Sequence, residues 1–441
     1  MERQIWIGES PKEPVFWDYQ DRKGILYGKR SDGIRVVKIG ISVPRPSCYL
    51  SFLRNKKEYE QEAHSHTHNF YKRLLAYLSG ISYALNPAVQ PNDVTNTAID
   101  DDYMQSISYV GSGVAISSAE AYTTRDNGYG SRALEAAAYG QRVGTSDTAF
   151  SLDDYILGSI IQHGVTAGRL SYFLTDPHIT SYSSGKWINI TRRFMSNFNA
   201  DENSITIKEI GQYFPYFVGT SSTLYFLDER TVLDTPYVLP FYATARFRYT
   251  REFTIDDLTE WIANSATFLT CGIFARNTNG GAASFGEGIR TVKSTDGTIR
   301  SAENPISRAN TTGNYFYSAG AGVTDFGCLA GYGNTAVSHA DYNLANLFAE
   351  GTGENQLTYS AQDTPSSVYD SVSKLYTAQQ SRIVTNDYGS SQDVKEVGLV
   401  LRDFIYPSTI NILMFRKVIS TITLAPTESL LIMHELNMTH P

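Results

Sequence analysis

Two stretches of the chain alternate apolar and polar residues around a Lys-Glu pair: SITIKEIGQYF from Ser204 to Phe214, and QDVKEVGLVL from Gln392 to Leu401. A period of two is the mark of a strand with one buried face. Each stretch is followed by two further apolar segments, TLYFLDERTVLDTPYVL and INILMFRKVISTITLAP, which end at Pro240 and Pro426. Each set then closes on another alternating strand, ATARFRYTREF and SLLIMHELNM. With a strand from Trp187 to Phe194 ahead of the first set, the order predicts an antiparallel β-sandwich.

The likeness belongs to a longer repeat at a fixed offset of 187 residues (331 − 144). Gly144, Thr148, Ala149, Ser151, Asp154, Tyr155, Leu157, Gly164, Leu170 and Tyr172 recur as Gly331, Thr335, Ala336, Ser338, Asp341, Tyr342, Leu344, Gly351, Leu357 and Tyr359. Downstream, Asp176, Tyr182, Ser184, Lys208, Glu209 and Gly211 recur as Asp363, Tyr369, Ser371, Lys395, Glu396 and Gly398. After a single deletion Arg230, Val232, Thr235 and Pro240 correspond to Arg416, Val418, Thr421 and Pro426. A duplicated unit dictates architecture whatever local propensities say, so the expectation is two copies of one domain. The segments opened by Asp154 and Asp341 read as a short helix or an incoming strand, with the Asp capping local backbone N–H groups.

The resulting plan places an N-terminal extension or small docking domain at residues 1–90, a first β-sandwich repeat at 91–253, a connecting helix and loop at 254–293 and a second repeat at 294–441. In the extension GIRVVKIGISV reads as a strand. RNKKEYEQEAHSHTHNFYKRLLAYLSG reads as a helix ending at Gly80, on its Lys/Glu mixture and the spacing of Leu74, Leu75 and Leu78. TIDDLTEWIANSATF, with Thr254 as N-cap, predicts the connecting helix. ARNTNGGAASFGEG, SAGAGVTDFG and DNGYG read as loops.

Composition sharpens this picture. Charged residues are 19% of the chain, with 30 Tyr, 21 Phe and 34 Gly, a usage that excludes disorder, coiled coil and collagen and favours pleated surfaces. Formal charge is −8, unsuited to coating nucleic acid. It is uneven: residues 1–90 carry 14 basic against 9 acidic side chains, and the remainder 23 against 36. Cys48, Cys271 and Cys328 are far apart and suggest neither disulfide framework nor zinc knuckle. No signal-peptide pattern or membrane-spanning apolar run is present, so the expectation is a soluble chain without membrane insertion.

Candidate chemistry is sparse. The sequence carries no GxxxxGK[ST], HExxH or GxSxG. Asp153 with Asp154, and Asp100 to Asp102, are acidic doublets of a kind too common to identify a hydrolase. His64 and His68 would share one helix face, with His66 beside them and Glu60 as a further ligand, but the expectation is no metal site. No catalytic residue and no cofactor is assigned. Glu209 with Arg230, and Glu396 with Arg416, recur while their surroundings drift; the expectation is a charge-assisted pair across neighbouring strands that fixes register, with pairing across a subunit interface as the alternative.

The order G-x-G/T-x-x-T-A…D-x-x-L, a strand, K-E-I/V-G, then R-x-V and a closing strand resembles a β-sandwich module of virion structural proteins of tailed bacteriophages. The resemblance covers residues 107–253 and 294–441, and the two in-chain copies are similar to the non-contractile tail sheath of short-tailed phages. It implies a virion tail protein made in the host cytoplasm, a homo-oligomer forming a ring or sheath, with other tail and connector proteins as partners. Two alternatives stand beside it: a tail protein that binds a host surface receptor, and a capsid decoration or head fibre.

Overall fold

A computed structural model describes residues 15–20, 25–43, 47–54, 57–62, 66–79, 140–183, 186–199, 201–218, 222–255, 261–266, 269, 291–301, 318–405 and 408–440. His64, Gly80, Asp100 to Asp102, DNGYG, Cys271 and ARNTNGGAASFGEG lie outside the described residues.

The chain is mainly β. The first strands are β1 (Val15–Gln20), β2 (Ile25–Arg30), β3 (Arg35–Ser42), β4 (Ser47–Arg54) and β5 (Lys57–Glu62), followed by helix α1 (His68–Ser79). The first copy of the repeat contributes β6 (Gly140–Gly144), β7 (Ser171–Ser183), β8 (Lys186–Phe198), β9 (Ile205–Val218), β10 (Ser222–Leu239) and β11 (Thr244–Ile255). A small hairpin, β12 (Thr291–Lys293) and β13 (Ile299–Ser301), precedes the second copy. That copy contributes β14 (Gly327–Gly331), β15 (Ala349–Glu350), β16 (Gln356–Tyr359), β17 (Ser366–Asp370) and β18 (Leu375–Thr385). It ends with β19 (Gln392–Ile405), β20 (Ser408–Leu424) and β21 (Ser429–Thr439).

The two copies repeat one connectivity. Each has a three-stranded sheet, β10-β9-β6 in the first and β20-β19-β14 in the second. β9 and β19 begin and end 187 residues apart (392 − 205 and 405 − 218). The second sheet of the first copy runs β5-β4-β11-β8-β7; its counterpart runs β1-β2-β3-β21-β18-β16-β15, with β17 also on β18. Apolar residues from both sheets of the first copy meet in one cluster, with Val143, Ile207 and Ile210 against Leu50, Phe52, Ala245 and Phe247. In the second copy Ala330, Val394 and Val397 meet Val37, Ile39, Leu430 and Ile432 in the same way.

Strands β1 to β5, read from the sequence as part of an extension, are built into these sheets. β4 pairs antiparallel with β11, and β3 pairs parallel with β21. Without them β11 and β21 would be edge strands with open rows of backbone donors and acceptors. The N-terminal strands also reach across to the opposite sheet. Gln61 accepts from Asp234 N at 3.1 Å, and Tyr27 OH accepts from Ser420 N at 2.8 Å, across 393 residues of chain.

Two elements differ from their sequence reading. KEYEQE forms β5 rather than the start of a helix, because it pairs antiparallel with β4 and Tyr59 stacks on Phe52; the helix begins at His68. Thr254, expected as a helix N-cap, pairs with Ile188 inside β11, and helical residues appear only from 263.

The β10–β11 and β20–β21 turns share one anchor that sequence reading missed although it recurs at the common offset. Asn199 donates from Nδ2 to Asn203 O (2.9 Å) and Leu239 O (3.1 Å) and accepts at Oδ1 from Asp201 N (2.9 Å). Asn386 repeats this with Ser390 O (3.0 Å), Leu424 O (2.8 Å) and Tyr388 N (3.0 Å). Their backbone carbonyls accept from Tyr242 N and Thr427 N, residues held at φ 61° and 68°. Both asparagines are fully buried. Replacing either by Ala strands several buried backbone groups, so N199A and N386A are each expected to lower unfolding free energy by about 1–3 kcal/mol, measured by urea melts of the full chain.

Candidate functional site

The most elaborate polar constellation among the described residues occurs twice, once in each copy. On the β9–β10 pair Arg230 lies opposite Gly211 and Glu209 opposite Val232; on β19–β20 Arg416 lies opposite Gly398 and Glu396 opposite Val418. Glutamate and arginine are therefore diagonal neighbours on one face. Arg230 Nε donates to Glu209 Oε2 at 2.8 Å, and Arg416 Nε to Glu396 Oε2 at 2.7 Å.

A third charge completes each cluster. Arg230 donates from a terminal nitrogen to Asp154 Oδ2 at 2.8 Å, and Arg416 to Asp341 Oδ2 at 2.6 Å. The same aspartate oxygens accept from Ser151 N (2.9 Å) and Ser338 N (3.0 Å), which is the local capping expected of them. The other guanidinium nitrogen donates to Thr148 O at 2.8 Å or Thr335 O at 2.9 Å. The glutamates bind backbone as well: Glu209 accepts from Gly158 N (3.1 Å) and Ser159 N (2.8 Å), Glu396 from Ala345 N (3.2 Å) and Asn346 N (2.8 Å).

Each triad thus pins an irregular loop, 145–160 or 332–347, onto its three-stranded sheet. Neither DYILGSIIQHG nor DYNLANLFAEG forms a helix: N–H groups at Gly158 and Ser159, and at Ala345 and Asn346, go to the glutamate, and of the expected strand only β15, at the end of the second segment, is present. Gly144 and Gly331 recur for a steric reason. A Cβ there would stand 2.6 Å from Ser159 O or Asn346 O and inside 3 Å of the glutamate side chain.

Both arginines and both glutamates are buried. Burial by itself would pull the arginine pKa down; hydrogen bonds and the charges of the paired aspartate and glutamate outweigh it and hold both guanidinium groups above their ordinary value. The four residues singled out from the sequence are thus brought together in intramolecular pairs. What the sequence did not disclose is the aspartate as third member and the loop as the thing being held. The donors and acceptors of these clusters are engaged in holding the loop to the sheet.

The histidines diverge. His66 Nε2 lies 2.9 Å from Glu229 Oε1, both buried. His68 turns away from it: Nδ1 hydrogen-bonds Tyr376 OH and Nε2 lies 3.3 Å from Asp153 Oδ1. Tyr71, Tyr369 and His440 complete an aromatic cluster around His68. Among the described residues no group of three or more His, Cys, Asp or Glu is placed to hold a metal. Cys328 is buried, and burial pushes its thiol up, away from the thiolate a nucleophile needs.

Comparison with protein-family models, curated proteins and solved structures finds no match to this chain.

Removing one partner of a buried ion pair leaves an uncompensated charge, so R230M and R416M are each expected to cost about 3–5 kcal/mol in a urea melt, and R230M/E209L less than the sum of its single variants. His68 supplies a pH signature. Burial pushes its imidazole down to about 4, against Asp153 and aided by Lys72 and His440. A depressed histidine pKa means that the unfolded chain takes up the proton first, so stability is full above about pH 6.5 and falls as the pH approaches 4. The melting temperature is expected to decline over this window, and the decline to be shallower in H68Q.

Proposed function

We propose that the chain is a structural component of a tailed-phage virion, a subunit of a ring or sheath around the tail, built from two tandem antiparallel β-sandwich domains. The observation that carries this reading is the doubled strand order with its doubled Asp-Arg-Glu staple: the most heavily bonded side chains of each copy serve to make the same module rigid twice. Stiffness and repetition are what a closed assembly asks of a subunit. A sixfold ring of such chains presents twelve similar domains, which adapts a sixfold tail to a twelvefold connector. The reading assigns no catalysis and no cofactor; its partners are other copies of the chain and neighbouring tail and connector proteins.

One observation favours host-receptor binding as a second reading. Phe241 is 46% and Tyr242 72% exposed on the β10–β11 turn, an aromatic pair offered to solvent by a backbone held at positive φ. Such side chains suit protein or sugar contact.

Negative-stain imaging of the purified full chain, with antibody labelling of particles, separates these roles. Closed rings and labelled tails are expected. Dispersed monomers that bind host envelope in a pull-down would favour the receptor reading, labelled heads would point to a capsid decoration, and monomers absent from virions would remove the proposal.

A further inference from the structure

The two copies differ most sharply in one transverse row. On β6, β9 and β10 the register aligns Gln141, Gln212 and Glu229, with relative exposures of 3%, 0% and 0%. Strand alternation puts them on the face that carries Val143 and Ile210 into the core between the sheets. The same register on β14, β19 and β20 aligns Cys328, Leu399 and Phe415, all buried and all in the apolar core. The side of each copy is closed in matching fashion. His66 bridges Glu229 in the first, whereas Trp261 packs edge-on against Phe415 at 5.2 Å in the second.

The fold therefore tolerates an apolar row, and the polar one is not required by connectivity. It is also costly. Both amide atoms of Gln141 and of Gln212 have no hydrogen-bond partner among the described residues, and a buried polar group left unpaired is destabilising. Amides, a carboxylate and an imidazole in one enclosed row form the kind of lining on which buried water, making about three hydrogen bonds each, is held.

We propose that Gln141, Gln212 and Glu229 bind a cluster of ordered water molecules between the sheets of the first copy, closed off by His66, at a position where the second copy carries Cys328, Leu399 and Phe415. The inference does not depend on a role in virions.

A crystal structure of the full chain, at a resolution that shows solvent, is expected to contain waters within hydrogen-bond distance of the Gln141 and Gln212 amides and none beside Cys328, Leu399 and Phe415. In solution the side-chain amide protons of both glutamines are expected to show nuclear Overhauser effects to water. Q141C/Q212L, which writes the second copy's residues into the first, is expected to lose the water density. Direct amide-to-amide and amide-to-carboxylate hydrogen bonds along the row without solvent, or an anomalous peak in the row after a rubidium soak, would overturn the proposal.

Discussion

The arginine that bridges an aspartate and a glutamate beneath each irregular loop is the interaction on which the rest of each copy depends. Taking the arginine and glutamate of each cluster out of water costs several kcal/mol per ion, and mutual attraction offsets this only when geometry is good and the remaining lone pairs are occupied. Here they are occupied by loop backbone: in addition to its arginine, Glu209 accepts from three N–H groups and Glu396 from two. An apolar contact of equal size would be non-directional and would let the loop slide. Hydrogen bonds from a planar guanidinium select one position of the loop over the sheet.

Around these staples the N-terminal strands act as a seam joining the two copies. β4 and β5 complete the second sheet of the first copy, and β1 to β3 complete that of the second. α1 lies between them with unequal attachments. Toward the first copy its start is polar: Thr67 Oγ1 donates to Leu227 O at 2.6 Å, Asn69 Nδ2 to the same carbonyl at 3.2 Å, and His66 meets Glu229. Toward the second copy its body is apolar, with Phe70, Tyr71, Leu74 and Leu75 in the large core and Tyr71 stacked on Tyr376 at 5.4 Å. Because β21 lies between β3 and β18, the last strand cannot take its place without residues near the start of the chain. Such long-range pairing slows folding and makes the finished unit cooperative.

The contrast between the copies follows the same division. Where β9 and β10 carry Gln212 and Glu229, β19 and β20 carry Leu399 and Phe415, and the plugging residue changes from histidine to tryptophan in step. The two copies share the staples, the asparagine-anchored turns and the order of the three-stranded sheet, while the interior beside α1 is polar in one and apolar in the other.

Much of this was legible in the residues alone. Period-two alternation around Lys208-Glu209 and Lys395-Glu396 marked β9 and β19, and the repeat offset marked the partnership of Glu209 with Arg230 and of Glu396 with Arg416, since both signals are local or are carried twice. Other features were not. Asp154 looked like a cap and nothing more because its arginine is 76 residues away. KEYEQE looked helical because its residues favour helices; only pairing with β4, where Tyr59 stacks on Phe52, made it β5. Nor does any local pattern tell β3 to pair with β21, close to four hundred residues later (430 − 35 = 395). Side-chain period and recurrence are written along the chain, so the amino-acid order by itself determined the strands around the two Lys-Glu pairs and the internal repeat. Which strand adjoins which, and which charges are buried together, is decided by satisfying edge hydrogen bonds and desolvated charges across the whole molecule, and that only the tertiary structure decided.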